Sequence, residues 1–590
     1  MMSPNIVNFF IILMASVAYY NYPSIDPNLR AINVPTPELS QQYDFIIVGA
    51  GSAGCVLANR LTEIANWTVL LLEVGGEETI ISDTPLLAGT LWNSPLNWNY
   101  TTTRQPRACL VTDGLCPWPR GRVIGGSSTL NFMVYVRGNR RDYDGWAALG
   151  NPGWSYEEVL PYFRLSEDNR NPIYEMDTTY HSTGGYQTVT DLSYQTPLVS
   201  GYLAAGEEIG FEVRDINAEY QTGFMPVQGT FRNGSRCSTG KAFLRPVRNR
   251  TNLHVAEGSF VTKINLINNK AVGVTFMRNN QEINVTARKE VIISAGSINS
   301  PQLLMLSGIG PADELNRFGI PVIQNLSVGY NLQDHVGAPL FYKTNPPVAI
   351  TAPSYENIDA VFEYSQPNAT GPLTSPAGIE TIAFLNSTYT NSSIDYPDIE
   401  IHFTSYVNYL DNNNSIWFGV GLIIHPQSRG RITLQSPDPY QHPLIDPKYF
   451  NEPQDLQILM QSLKYVSSVA NSTAMQKYNS VIQDQLFTLC NNYTTYSDEF
   501  YTCVIEHYTT TIFHPVGTCK MGPSTDTEAV VNSNLQVYGI ENLRVIDASI
   551  MPFVTGGNTN APIIMIAERG ADIIKAYYNQ PTQIPQINYA

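Results

Sequence analysis

The sequence predicts an α/β fold that opens on a parallel sheet. Three observations carry this. First, residues 43 to 76 read as strand, turn, helix and strand. Phe45-Ile46-Ile47-Val48 and Val69-Leu70-Leu71-Leu72 are short continuous apolar runs, the pattern of strands buried on both faces. Between them a glycine turn leads into a helical stretch through Val56, Leu57 and Leu61. Second, Leu253 to Ile292 breaks into short apolar runs that read as strands of a small sheet, with Arg544 to Ile546 as another buried strand and Ile563 to Tyr577 as a helix. Third, 590 residues exceed one ordinary core, so at least two domains are expected.

Hydrophobic residues make up 43% and charged residues 14%, a globular rather than a disordered composition. The formal net charge of -17 repels phosphate backbones and anionic lipid, which argues against a nucleic-acid partner. Ile6 to Ala18 is an apolar run too short to span a membrane, and Ser16 and Ala18 supply the small residues of a cleavage site. Residues 1–18 therefore read as a signal peptide, and no stable membrane insertion is expected. Asn-x-Ser/Thr sites stand at Asn66, Asn99, Asn233, Asn249, Asn284, Asn325, Asn368, Asn386, Asn391, Asn413, Asn471 and Asn492. That density behind such an N-terminus reads as a secreted, extracellular glycoprotein. Cys109 with Cys116, and Cys490 with Cys503, bracket short loops that local disulfides would close in an oxidising compartment. Cys55 and Cys519 read as buried thiols, Cys237 is unassigned, and no spacing suits a metal site.

Gly49-Ala50-Gly51-Ser52-Ala53-Gly54 fits G-x-G-x-x-G, with a buried strand before it and a helix after it. Gly49 permits the tight turn, Gly51 leaves room for a pyrophosphate, and Gly54 lets helix and strand pack closely. The helix start at Ser52 and Ala53 presents free N–H groups and a partial positive charge to the phosphates. Glu73, at the end of the second strand, is placed to accept from a ribose hydroxyl. The pattern alone does not separate FAD from NAD.

Three further segments decide that point: Gly121-Arg122-Val123-Ile124-Gly125-Gly126-Ser127-Ser128-Thr129-Leu130-Asn131, then Gly296-Ser297-Ile298-Asn299-Ser300-Pro301 through Gly310, then His514-Pro515-Val516-Gly517 through Asp547-Ala548 to Asn558-Thr559-Asn560. With the glycine fingerprint, these resemble the glucose–methanol–choline oxidoreductase family over about residues 43 to 578. Gly138-Asn139-Arg140-Arg141-Asp142-Tyr143-Asp144 and Ala242-Phe243-Leu244-Arg245-Pro246 resemble its insect branch of glucose dehydrogenase-like enzymes and salicyl alcohol oxidases. The resemblance implies FAD as cofactor. It implies that Ser127, Asn131, Phe132 and Val134 line the flavin ring and diphosphate, and that Val261 holds the adenine through its backbone. Asp547 and Ala548 would lie beside the ribityl and diphosphate region, and Asn560 near the pyrimidine end of the flavin. Leu130 stands where some members carry a flavin-linking His, which implies non-covalent FAD.

The resemblance further implies two intertwined domains. A Rossmann-like FAD-binding domain would comprise about 40–165, 240–335 and 510–580. An α+β substrate-binding domain with an antiparallel sheet would comprise 166–239 and 336–509, and 581–590 would form a loose tail. The implied reaction removes a proton and a hydride from an alcohol. His514 is the expected base, because a neutral imidazole takes a proton near working pH. Asn558, which can donate but cannot act as a base, is expected to hold the alcohol oxygen. His335 is expected to support packing. Tyr355, Phe362, Tyr364, Phe403, Tyr406, Tyr409, Trp417 and Phe418 offer either a stacking surface for an aromatic alcohol or a sheet core. The leading expectation is oxidation of a small primary alcohol, aromatic and salicyl-type, with O2 reduced to H2O2. A quinone-reducing, glucose dehydrogenase-like enzyme is the runner-up, and a non-catalytic secreted flavoprotein a third reading. Oligomeric state stays open.

Overall fold

The computed structural model describes residues 4–174, 176–406 and 415–584. Asn413, Tyr409 and residues 585–590 of the expected tail fall outside them. The fold is α/β, as expected, and is organised by two seven-stranded sheets.

The first sheet runs in the order Leu253–Ala256, Val69–Leu72, Gln42–Val48, Gln281–Ile293, Lys270–Arg278, Phe260–Ile267. Its centre is parallel: Ile46 lies opposite Leu70 on one side and Val291 on the other. The Gln281–Ile293 strand serves two partners along one edge. Its first half pairs antiparallel with Lys270–Arg278, and its end pairs parallel with Leu543–Val545. The central strands are buried almost throughout, which is why they read as unbroken apolar runs rather than as alternations.

The second sheet is antiparallel: Val481–Ile482, Val336–Lys343, Ile416–Ile423, Ile399–Thr404, Ile379–Leu385, Gly223–Pro226. The Pro453–Ala470 helix, which sequence patterning missed, packs on it. Glycines make room for that helix. A Cβ on Gly421 would lie 2.2 Å from Ser462 Oγ, and one on Gly419 2.6 Å from Val466 Cγ1. A second unforeseen helix, Leu198–Glu208, lies within residues 166–239 of the expected substrate-binding domain.

Both expected disulfides are present, and Cys55, Cys237 and Cys519 are buried free thiols. Residues Pro4–Tyr20 form a helix whose Phe9, Leu13 and Val17 pack against Leu86, Leu87, Tyr355, Val361 and Tyr364. Among the described residues no helix is long and apolar enough to cross a membrane. Of the expected tail, residues 581–584 are described. The Gln583 and Ile584 amides each donate at 2.8 Å to the Asp572 carboxylate, so the chain is tied down at least to Ile584.

Candidate active site

One cavity of about 1110 Å³ runs from the carboxyl ends of the parallel strands to the antiparallel sheet. Its size exceeds the few hundred to about 1,000 Å³ of pockets for drug-sized ligands. Of the sixteen site residues expected from sequence, all but Gly54 line it. Gly54 instead packs helix on strand: a Cβ there would stand 1.9 Å from Gly49 O.

At one end the wall is mostly backbone. Gly49 has φ +99°, a conformation that favours glycine. Gly51 faces the second glycine turn so closely that a Cβ on Gly126 would come 2.7 Å from Gly51 Cα, and Gly125 N–H donates to Ala50 O at 2.8 Å. Three helices begin at the cavity wall, at Ser52, Gly296 and Asn560. Ser52 Oγ donates to Asn560 Oδ1 at 2.8 Å, which joins two of these ends. Converging helix N-termini suit a diphosphate. Glu73 accepts from Ala50 N–H at 3.0 Å and from Gly75 N–H at 2.9 Å, and burial pushes its carboxyl up to about 7. It therefore braces the glycine turn while keeping lone pairs for a ribose hydroxyl. Ser297 Oγ, also on the wall, is buried without a hydrogen-bond partner among the described residues. An adenine dinucleotide fits these features: side-chain-free turns, helix ends, an acceptor carboxylate and an unpaired hydroxyl.

The other expected cofactor residues lie along the same wall with their own tasks. Ser127 Oγ accepts from Gly121 N–H at 3.1 Å, and Asn131 Oδ1 from Met133 N–H at 3.1 Å and Arg236 Nη1 at 2.7 Å. Val134 bridges to Gly229, and Val261 sits at an irregularity in its ladder. The Asp547 carboxylate accepts from Gly296 N–H and Ser300 on one oxygen and from Ser549 on the other, so it ties strand end to helix start. Leu130 is on the wall, in the second glycine-rich segment.

At the other end His514 is placed by a strand irregularity. Val336 pairs with Thr511 and Gly337 with Thr510, and beyond them Gln333 bridges to Val516. The second segment thus carries extra residues opposite 334–335, and Phe513 takes φ +67°. Bulges of this kind re-aim side chains. The turn is pinned by Asp334: Oδ1 accepts His514 N–H at 2.8 Å, and Oδ2 accepts the Tyr449 and Thr511 hydroxyls. Arg120 holds the Phe513 carbonyl.

His335, expected to be a packing residue, proves to be His514's hydrogen-bond partner. His335 Nε2 lies 3.0 Å from Ile424 O, and a carbonyl only accepts, so Nε2 carries the proton. Burial lowers the His335 pKa to about 3, so its Nδ1 is unprotonated. His514 Nδ1, 3.0 Å away, must then donate to it. This leaves the lone pair of His514 on Nε2, beside Asn558 Nδ2 at 3.4 Å. Burial first, then the neighbouring His335, holds the His514 imidazole well below its usual range. Asn558 Oδ1 has no partner among the described residues.

The aromatic lining was largely missed. Of the eight aromatics singled out from sequence, Tyr406 and Phe418 line the cavity. Phe403 and Trp417 pack with Tyr202 inside the second sheet, and Tyr355 and Tyr364 pack under the N-terminal helix. The wall near His514 is Trp92, Phe132 and Phe513, with Trp92 stacked on Phe132 at 5.5 Å and edge-on to Phe513 at 4.9 Å. Phe341, Phe487 and Tyr508 continue it. Phe132 apart, no local pattern marks these residues, because they come from segments scattered between 92 and 513.

Two models of the GMC oxidoreductase family match the chain, at residues 43–337 and 426–567. Glucose dehydrogenase [FAD, quinone] of Drosophila melanogaster is 41% identical over 568 residues, covering 93% of this chain and 89% of that one. Ecdysone oxidase of Bombyx mori is 33% identical over 560 residues, covering 91% and 82%. Among solved structures, pyridoxine 4-oxidase from Mesorbium loti superposes with a TM-score of 0.79 at 29% identity, covering 91% of this chain and 100% of that one.

Proposed function

The chain belongs to the GMC oxidoreductase family, and from that premise we propose that it is an FAD-dependent enzyme oxidising an alcohol to a carbonyl compound. The observation that carries the reading is one cavity with glycine turns and helix starts at one end and, at its other end, a histidine whose lone pair sits beside an amide. Bound FAD would supply the hydride acceptor. Gly49, Gly51, Ser52, Ala53 and Glu73 would hold its adenosine diphosphate half with Val261, Asp547 and Ala548. Ser127, Asn131, Phe132, Val134 and Asn560 would line the flavin half, with Leu130 making no covalent link.

The chain's own residues handle the proton. His514 Nε2 accepts the hydroxyl proton, because Nδ1 is committed to His335. The second Nδ2 hydrogen of Asn558 steadies the alcohol oxygen as charge builds on it. The positive charge gained by His514 is stabilised by the hydrogen bond from its Nδ1 to His335, and the His335–Ile424 bond returns the imidazole to the same tautomer after each turnover.

The aromatic wall beside His514 supports an apolar, aromatic primary alcohol as substrate. O2 as acceptor, with H2O2 as product, is supported by the positive charge that His514 gains, which would favour the anions formed as O2 is reduced. A second reading, quinone in place of O2, is supported by the 41% identical relative named for a quinone. Secretion and glycosylation belong to the same proposal. They are supported by two disulfides and by the exposure of ten of the twelve Asn-x-Ser/Thr asparagines, Asn386 being half-buried and Asn413 outside the described residues.

Purified protein, mixed with benzylic alcohols or glucose while flavin absorbance and peroxide are followed, tests the cofactor, the substrate and the acceptor. Bleaching by a benzylic alcohol with stoichiometric peroxide supports the oxidase. Bleaching that only a quinone reverses supports the dehydrogenase. Protein that carries no flavin defeats both.

A further inference from the structure

The turn that carries Asn558 is gripped from behind by a buried carboxylate that the mechanism above does not use. Resting on the reading of Asn558 as the residue that holds the alcohol oxygen, we propose that Asp142 is a positioning residue. It fixes the Gly556–Asn558 turn, with Gln221 as its counterpart.

Asp142 lies in the first turn of the Arg140–Ala148 helix and is fully buried. Its Oδ2 accepts from Gly556 N–H at 2.7 Å and from Asn139 N–H at 2.9 Å. Its Oδ1 accepts from the Tyr396 hydroxyl at 3.0 Å and from His425 Nε2 at 3.0 Å. Gln221 Nε2 donates to Gly556 O at 2.7 Å, while Gln221 Oε1 accepts from Asn139 Nδ2 at 3.1 Å. The Gln221 and Thr222 amides are in turn held by the Asp395 carboxylate at 2.8 Å each. Gly556 is thus held through both of its backbone polar groups, two residues before Asn558.

Such a grip is needed because the turn supplies no rigidity of its own. Gly556 and Gly557 are consecutive glycines, the second at φ +128°, and glycine has the widest backbone freedom of any residue. The side chain of Asn558 adds only the long 3.4 Å contact with His514. Its amide therefore stands where its backbone puts it. Four donors converge on Asp142, and an ionised carboxylate accepts on both oxygens. An apolar side chain of similar size accepts from none of them: Asp142→Leu leaves the Gly556 N–H without its partner and frees the turn on that side. The hub also joins the Gly556 turn to segments beside the second sheet, at 221–222, 395–396 and 425.

The test measures the anaerobic rate of flavin reduction in purified holoenzyme, with benzyl alcohol at saturation, or D-glucose if benzyl alcohol leaves the wild-type flavin oxidised. Flavin content and absorbance spectrum are recorded alongside. Asp142→Leu should keep the wild-type spectrum and reduce roughly 30-fold more slowly, with half-saturation moved by less than about threefold. On an Asn558→Ala background the same change should cost less than about twofold, since the residue it positions is gone. A wild-type rate in Asp142→Leu, or its full loss repeated on the Asn558→Ala background, overturns the proposal. If Asp142→Leu does not retain flavin, Gln221→Met carries the same test. About a fivefold loss, absent on the Asn558→Ala background, supports the clamp, and an unchanged rate overturns it. A wild-type rate in Asn558→Ala alone removes the role of Asn558 and the clamp together. A slow Asn558→Ala with both other variants fast removes only the clamp.

Discussion

Where the cavity meets the Gln42–Val48 strand, its wall is mostly backbone, from glycine turns and the helix starts at Ser52, Gly296 and Asn560. Where it meets the antiparallel sheet, its wall is side chains from segments as far apart as Trp92, Phe132, His402, Phe418, Phe487 and His514. The two ends answer different demands. A diphosphate is bound by N–H groups and a helix end, which any sequence provides once glycine lets the backbone approach. A base needs one tautomer, and that is fixed by another side chain's hydrogen bond. Substitutions at the first end should be all-or-none, and those at the second graded.

The largest effect is expected at the backbone end. Gly54→Leu places a Cβ 1.9 Å from Gly49 O, so helix and strand cannot pack. The purified variant should carry no flavin, read as the ratio of flavin to protein absorbance. Retention of full flavin would show that the close approach is dispensable.

At the other end His514→Ala should retain flavin and lose roughly 10²–10⁴-fold in the rate of flavin reduction. His335→Leu should lose less, about 10- to 100-fold, because it removes the acceptor that fixes the His514 tautomer and leaves the base itself in place. Stopped-flow reduction separates the two, and equal losses would mean that His335 acts as more than an orienting partner.

The same histidines set a pH dependence. Burial lowers the His335 pKa to about 3, and His514 is lowered as well. A depressed histidine pKa means that the unfolded chain binds more protons than the folded one below the ordinary imidazole value of about 6.5. Stability should therefore fall as pH drops below about 6.5, at up to about 1.4 kcal/mol per pH unit for each such histidine, until the folded pKa is reached. Thermal melting between about pH 4 and 7 checks the sign, and His335→Leu should flatten the slope. The base itself should stay neutral, and flavin reduction sustained, to pH values below the ordinary imidazole range. Smallest of all, Phe418→Ala should raise half-saturation for a benzylic alcohol a few-fold and leave the limiting rate nearly unchanged, since it removes contact area common to ground and transition states.

The sequence by itself determined the α/β opening, the nucleotide turn and the family. Phe45–Val48, the glycines and Val69–Leu72 are contiguous, and each demand, whether burial on both faces, positive φ or close approach, selects its residue type on the spot. Both disulfides were legible for the same reason, since each closes a short loop. His514 and Asn558 were found through their motifs, but their relation was not. The His335–His514 contact exists because two segments 179 residues apart pair antiparallel with an irregularity between them. The aromatics of Ile399–Thr404 and Ile416–Ile423 face either the core or the cavity according to which neighbours their sheet acquires. Alternation along a strand marks two faces, and only the packing of distant elements decides which one meets the substrate.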